Sequence, residues 1–169
     1  RLTMKKSNSY PNLTKAFEST VVLKKGTYPY PISPFAGVVS PISSEILAEV
    51  AAASVNEKIF QKADLIVTFE SAGIQLAAVV GQSLQLPFLI ARKKQFDLKN
   101  EISFSVTTNF DEKNFYLYGD VKGKRIVIID DVVTSGTTIR NATLALQKKG
   151  AKVEGFYIVA GKINLIGKR

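Results

Sequence analysis

The sequence predicts an α/β fold, a mainly parallel sheet flanked by helices. Three observations predict it. Short β-branched runs at Leu65–Phe69, Phe88–Ala91, 125–129 and 153–160 alternate with segments whose apolar residues recur at helical spacing. Residues 126–129 (Ile-Val-Ile-Ile) are all branched aliphatics, which suits a strand covered on both faces. Turn residues bound each apolar run, and none approaches the roughly 20 residues of a membrane span, so these runs are expected to be buried strands.

Taken in order, residues 1–20 are polar and mixed, with a short helix expected over 13–18. Val21-Val22-Leu23 reads as a short strand before Lys24-Lys25-Gly26. Residues 28–41 hold four prolines (Pro29, Pro31, Pro34 and Pro41), which favours an extended loop over a helix. A serine cap at Ser43-Ser44-Glu45, followed by Ile46, Leu47, Val50, Ala51 and Val55, predicts a helix to about Phe60. Asp64 precedes the strand Leu65–Phe69, and Glu70-Ser71-Ala72-Gly73 forms a turn before a helix over 74–84. The strand Phe88–Ala91 ends at Arg92-Lys93-Lys94. Residues 95–118 alternate polar and apolar and are rich in Asn, Thr and Ser, which predicts a long hairpin excursion; a structureless stretch of that length is unusual unless it is functional. After the turn Lys122-Gly123-Lys124 come a strand over 125–129, a helix over 137–149 stopped by Gly150, and a last strand over 153–160. Without internal repeats or low-complexity tracts, residues 1–169 read as a single domain, with an N-terminal hood over about 1–42 and a core over about 43–161.

Composition narrows the chemistry. Hydrophobic residues at 46% and charged residues at 22% fit a folded soluble protein rather than a disordered one. The chain has no Cys and no His. Disulfides, thiolate catalysis, Cys-ligated zinc and histidine-based triads are thereby excluded. Chemistry falls to Asp, Glu, Lys, Arg, Tyr, hydroxyls and backbone amides. No secretory signal pattern is visible, and a cytoplasmic protein is the simplest expectation. The net charge of +9 suits an anionic ligand, either a phosphorylated metabolite or nucleic acid, and does not choose between them.

The run from Arg125 to Thr138 (RIVIIDDVVTSGTT) is the most informative feature. In parallel sheets, ligands bind beyond the carboxyl ends of the strands. Asp130 and Asp131 stand at such an end, and an adjacent carboxylate pair is expected to face solvent, a cation or ligand hydroxyls. Thr134, Ser135, Gly136, Thr137 and Thr138 then form a hydroxyl-rich turn entering a helix. Gly136 allows close backbone approach, and unpaired amides at the helix start suit a monophosphate. The alternative is an ordinary strand-turn-helix with a threonine cap. Four aliphatics, paired Asp and this loop in one run argue against it. The Gly-Lys-Ser/Thr ending of a Walker loop and the glycine triplet of a dinucleotide site are absent.

This segment resembles the phosphoribosyl-pyrophosphate signature of type I phosphoribosyltransferases, and the resemblance spans about 64–160. It implies that Asp130 and Asp131 contact the ribose 2- and 3-hydroxyls, and that Thr134 to Thr138 hold the 5-phosphate. Glu70, Ser71, Ala72 and Gly73 are similar to the family's pyrophosphate loop, with Ala72 where adenine enzymes of the family carry Arg; alone they read as a plain strand-helix turn. Arg92 and Lys93 match an Arg-Lys pair that neutralises pyrophosphate in the family, and alone they read as a solvated basic turn. The 95–118 excursion resembles the family's flexible loop, with Glu101 and Ser105 as candidates for contacts on closure. The N-terminal third is similar to archaeal-type purine enzymes through Tyr28-Pro29-Tyr30-Pro31 and Phe35. Tyr28, Tyr30 and Phe35 could form a hood over the base or pack the N-terminal loop onto the core. Lys162 could meet a purine carbonyl, although a surface role fits it better.

The resemblance implies a purine phosphoribosyltransferase using phosphoribosyl pyrophosphate, a purine base and Mg²⁺, the metal held through the substrate rather than by the protein, in a homodimer. Val132 or Val133 would form an apolar shelf under the base. Many 6-oxopurine enzymes carry an Asp in this loop; Val132-Val133-Thr134 lacks one, which tilts the expectation towards adenine and AMP over hypoxanthine and guanine. A regulator of the same fold that senses phosphoribosyl pyrophosphate is the other alternative. At 169 residues the chain has little room for a DNA-binding module, so nucleic acid is not the expected partner.

Overall fold

The computed structural model describes residues 10–25, 28–107 and 112–161. Lys162 and the hairpin tip at 108–111 lie outside the described residues, as do the side chains of Tyr28 and Tyr30. The N-terminal part contains α1 (Pro11–Glu18), a two-stranded antiparallel ribbon of β1 (Val22–Lys25) and β2 (Tyr28–Pro31), and α2 (Ser44–Val55). A 3₁₀ turn at Lys58–Phe60 follows. Then come β3 (Leu65–Phe69), α3 (Gly73–Leu84), β4 (Phe88–Ala91), the hairpin β5 (Glu101–Thr107) and β6 (Glu112–Tyr118), β7 (Arg125–Val133), α4 (Thr137–Lys148) and β8 (Lys152–Gly161).

The central sheet runs β4-β3-β7-β8, and all of its pairings are parallel. Side chains alternate across it and divide the core into two layers. Leu65, Val67, Phe69, Ile126 and Ile128 face α4 and the hairpin, meeting Ile139, Ala142 and Leu146 from α4 and Ile102, Val106, Phe115 and Leu117 from the hairpin. Ile66, Val127 and Ile129 face the other way onto Ile46 and Val50 of α2, Leu76, Ala77 and Val80 of α3, and Leu13 of α1. Both faces of β3 and β7 are thus dry, which is why their sequences are near-continuous aliphatic runs.

The expected elements form, with three differences. Residues 28–41 are not wholly loop, because Pro29 and Pro31 lie in β2. A two-stranded ribbon leaves one backbone edge of each strand unpaired, so it tolerates residues without an N–H. The helix from Ser44 stops at Val55, and Asn56 and Glu57 separate it from the 3₁₀ turn. β7 runs four residues past Ile129, since β8 continues beside it to the pair Val133↔Gly161. Asp130, Asp131, Val132 and Val133 are therefore strand residues rather than loop residues. Phe35 is fully buried, 6.1 Å from Phe17 ring to ring, and its carbonyl accepts a hydrogen bond from the Gln75 side-chain amide. Of the two expectations for Phe35, packing onto the core is the one observed.

The start of α1 depends on a distant residue. Tyr10 offers no side-chain cap, and the carboxylate of Glu49 on α2 takes over that task. It accepts from Asn12 N at 3.0 Å, Leu13 N at 2.8 Å and Asn12 Nδ2 at 2.7 Å. A negative group on these amides also complements the helix dipole. Glu49→Ala is expected to cost about 1 kcal/mol, a fall of roughly 2–4 °C in Tm for a chain of this size. Thermal unfolding followed by circular dichroism checks this, and an unchanged Tm would show that α1 starts without Glu49.

Candidate functional site

The parallel register makes the carboxyl ends of the strands coterminal. Phe69 pairs with Ala91 and Thr68 pairs with Ile129. The residues that follow each strand therefore emerge on one rim: Arg92 from β4, Glu70 from β3 and the acidic pair within β7. The backbone confirms the alignment, since Glu70 N donates to Ala91 O at 3.1 Å.

The turn after β3 is drawn tightly onto the sheet. Thr68 Oγ1 is fully buried and donates to Ile129 O at 2.9 Å. Gly73, the first residue of α3, sits directly above it, and a Cβ at Gly73 would lie 2.2 Å from Thr68 Oγ1 and 3.6 Å from Ile129 O. The helix start can reach the ends of β3 and β7 only because residue 73 has no side chain. Glu70 is half-buried, and Ser71 is exposed at the rim. The Glu70–Ser71 peptide is cis. Arg92 Nη1 lies 3.7 Å from Glu70 Oε2 across the rim. Lys93 and Lys94 are exposed, and among the described residues neither forms an ion pair.

Beyond Ile129, the Asp130 carboxylate turns back to accept from Asp131 N at 2.9 Å. Burial, and then the neighbouring Asp131 carboxylate, push Asp130 up to about 8. A protein that holds two carboxylates together at this cost leaves a strong local demand for a cation or for hydroxyl donors. Gly136 adopts φ +75°, a left-handed conformation, and turns the chain into α4. Ser135 Oγ and Thr137 Oγ1 are 3.0 Å apart, and Thr137 N donates weakly to Ser135 Oγ at 3.3 Å. No other amide from Ser135 to Thr138 has a partner among the described residues. Thr134 and Ser135 are exposed, so these donors face outward at the positive end of α4.

Comparison with known proteins gives the family. Residues 41–166 match the family model described as phosphoribosyl transferase domain. The chain belongs to that family. The hypoxanthine/guanine phosphoribosyltransferase of Methanocella paludicola is 35% identical over 148 residues, covering 88% of this chain and 77% of that protein. The enzyme of the same name from Methanohalophilus mahii is 33% identical over 150 residues, covering 89% and 78%. Among solved structures, the adenine phosphoribosyltransferase of Trypanosoma brucei, in complex with AMP, pyrophosphate and ribose-5-phosphate, aligns with a TM-score of 0.74. It covers 97% of this chain and 72% of that one at 18% identity. The Saccharomyces cerevisiae adenine enzyme aligns at 0.72 over 90% of each chain at 15% identity. At such identities the structural likeness speaks to the fold.

Glu70, Ser71, Ala72, Gly73, Arg92, Lys93 and the run from Asp130 to Thr138 lie at or just beyond the carboxyl ends of β3, β4 and β7, on this rim. Two further positions do not. Glu101 opens β5 and is engaged at the base of the hairpin by Tyr118 and Gln95. Ser105 bonds across the hairpin to Asn114 Oδ1 at 2.6 Å, and its carbonyl accepts from Asn141 of α4 at 2.7 Å. Neither is free for a ligand in this arrangement. The inner face of the hairpin is buried in the core, so its base is a wall of the domain. Sequence reasoning missed Thr68, whose one visible signal was a hydroxyl in an otherwise aliphatic strand.

Two outcomes are expected. Gly73→Ala forces the Cβ onto the buried Thr68 hydroxyl and is expected to cost about 1–3 kcal/mol, as overpacking does; urea unfolding reads it, and an unchanged midpoint would contradict the close approach. The second concerns pH. A raised folded-state pKa at Asp130 gives stability that is complete below the unfolded value of about 4 and is lost as pH rises through about 8. Ligand-free Asp130→Asn is therefore expected to lose less Tm than the parent between those pH values. Parallel declines in the two proteins would contradict the cause assigned to Asp130.

Proposed function

We propose that the chain is a purine phosphoribosyltransferase, transferring the 5-phosphoribosyl group from phosphoribosyl pyrophosphate to a purine nitrogen. One observation carries the reading: an acidic pair ends β7 and leads straight into a hydroxyl-rich turn with outward amides, beside the Glu70–Gly73 turn and a basic run. In this assignment Asp130 and Asp131 accept from the ribose hydroxyls. Thr134, Ser135, Gly136, Thr137 and Thr138 grip the 5-phosphate. Glu70, Ser71, Ala72 and Gly73, with Arg92 and Lys93, receive the pyrophosphate. Val132 and Val133 line the base.

In the reaction the bond from C1 to the pyrophosphate oxygen breaks, a bond from C1 to the purine nitrogen forms, and the nitrogen loses its proton. The chain's own groups act by positioning and by fixed charge. Arg92 and Lys93 offset charge that builds on the departing pyrophosphate. The Asp pair holds the ribose so that C1 faces the base. Among the described residues no group of three or more His, Cys, Asp and Glu side chains could hold a metal by itself. Two adjacent carboxylates do suit a Mg²⁺ ion that arrives on the ligand's oxygens, and when bound that ion supplies further positive charge to the leaving group.

For the base we put hypoxanthine or guanine first. The two relatives carrying that name share a third of their residues over nearly the whole chain, whereas the likeness to adenine enzymes is one of fold. Adenine is the second reading, favoured by the absence of an acid at Val132-Val133-Thr134. A panel of adenine, hypoxanthine and guanine with phosphoribosyl pyrophosphate and Mg²⁺, reading pyrophosphate release, is expected to give fastest release with a 6-oxopurine. Fastest release with adenine reverses the base assignment, and no release with any purine sinks the transferase. Asp130→Asn with Asp131→Asn removes two charge-assisted acceptors and is expected to weaken phosphoribosyl pyrophosphate binding on the order of 100-fold or more, at roughly 1.5–3 kcal/mol per bond. Calorimetric titration checks it, with an unchanged circular dichroism spectrum as the folding control.

A further inference from the structure

The segment joining β4 to β5 carries Lys93 and Lys94 and has no regular structure, with Asp97 and Asn100 both at positive φ. It is nonetheless tied down at several points. Arg92 exchanges two backbone hydrogen bonds with Tyr116, at 2.8 and 2.7 Å, so β6 closes against the carboxyl end of β4. Two residues on, Tyr118 and Glu101 stand opposite each other as the closing pair of the hairpin. The Tyr118 hydroxyl accepts from Phe96 N at 2.7 Å and donates to Glu101 Oε2 at 2.8 Å. Gln95 Nε2 reaches the same carboxylate at 3.0 and 3.1 Å. The Phe96 ring stands edge-on to Tyr118 at 6.1 Å, and Lys94 Nζ lies 5.5 Å above the Phe96 ring.

Glu101 is therefore occupied by neutral donors. It stands near three lysines in sequence (Lys93, Lys94 and Lys99) and forms an ion pair with none of them among the described residues. A carboxylate that paired with Lys93 or Lys94 would neutralise the basic run. A carboxylate held by Tyr118 and Gln95 instead fixes the backbone on which that run sits and leaves its charge available.

We infer that Tyr118, Glu101 and Gln95 form a latch that positions Arg92, Lys93 and Lys94 for the pyrophosphate group. These are positioning residues, acting through the basic run, and the inference rests on the pyrophosphate assignment made above. Preorganised cations are worth more to a bound anion than cations on a wandering loop, because the ordering cost is met before binding. The effect should fall on the pyrophosphate-bearing substrate and spare the base.

The test is steady-state kinetics on the full chain. Tyr118→Phe keeps the ring against Phe96 and removes both hydroxyl bonds. It is expected to raise KM for phosphoribosyl pyrophosphate roughly tenfold, the scale of one to two hydrogen bonds, with kcat and the purine KM little changed. Tyr116→Phe, whose backbone alone makes the bridge, is the control expected to match the parent. Glu101→Ala should reproduce the rise, and Glu101→Gln, which still accepts from Tyr118, should show a smaller one. An unchanged KM in Tyr118→Phe, an equal rise in the purine KM, or equal rises in the two Glu101 variants would each overturn the latch. If Tyr118→Phe fails to fold, Gln95→Ala, at an exposed position, takes its place with a smaller expected rise. Titration with inorganic pyrophosphate and Mg²⁺ separates the two levels of the argument. A parent that binds pyrophosphate but transfers to no purine sinks the transferase reading, and the comparison with Tyr118→Phe still decides the latch. A parent that binds no pyrophosphate overturns the latch itself.

Discussion

The register between β3 and β7 is the constraint on which the rest of the molecule depends. It is held at both ends. At the amino end, Arg125 grips Asp64 with bonds of 2.7 and 3.0 Å from its guanidinium and 2.9 Å from its backbone, while Asp64 N donates to Arg125 O. At the carboxyl end, the buried Thr68 hydroxyl reaches Ile129 O. A slip of one residue would exchange the two faces of β7, turning Val127 and Ile129 away from α3. It would also carry the acidic pair off the rim where Glu70 and Arg92 emerge. The geometry of the site is thus a consequence of strand pairing, and no loop has to find its place independently.

That rim brings together charges of opposite sign that would neutralise each other if they met fully. They are kept apart by the strand that bears each one. The acidic pair belongs to β7, the basic run follows β4, and Glu70, just after β3 between them, lies 3.7 Å from Arg92. So long a contact with a half-exposed guanidinium is weak. An anionic ligand can replace it at little cost. Among the described residues the carboxylates have no such partner, and burial, followed by the neighbouring Asp131 carboxylate, pushes Asp130 upward. The rim is therefore electrostatically strained on its acidic side and lightly satisfied on its basic side. Both conditions favour a ligand that offers hydroxyls to the one and phosphates to the other.

The sequence made much of this legible, for identifiable reasons. β3 and β7 are dry on both faces, so their aliphatic runs could hardly be mistaken. The turn at Thr134 to Thr138 needs small, hydroxyl-bearing residues and a glycine at φ +75°, and those requirements are written directly into residue types. What stayed hidden depends on contacts distant in sequence. Glu49 caps a helix thirty-odd residues earlier. Thr68 and Gly73 make sense together only once the helix start is laid on the strand. The length of β7 is set by β8 beside it, so a reading that ended the strand at Ile129 lacked the partner that extends it to Val133.

The hairpin is where local and distant information meet. Its alternating pattern predicts two strands, but not that the inner face joins the main core through Ile102, Val106, Phe115 and Leu117. Once packed there, the hairpin touches both the segment after β4 and helix α4. Tyr116 and Tyr118 hold the segment after β4, and the Ser105 carbonyl holds Asn141 on α4. Tilting it would strain its contacts with the basic run and with the helix whose first amides face outward. In the proposed function, a base tied at both places lets the two halves of the rim keep their separation although they come from strands that are not neighbours. In that reading the spacing of the two halves, as well as the charge of each residue, bears on which bis-anionic ligand fits.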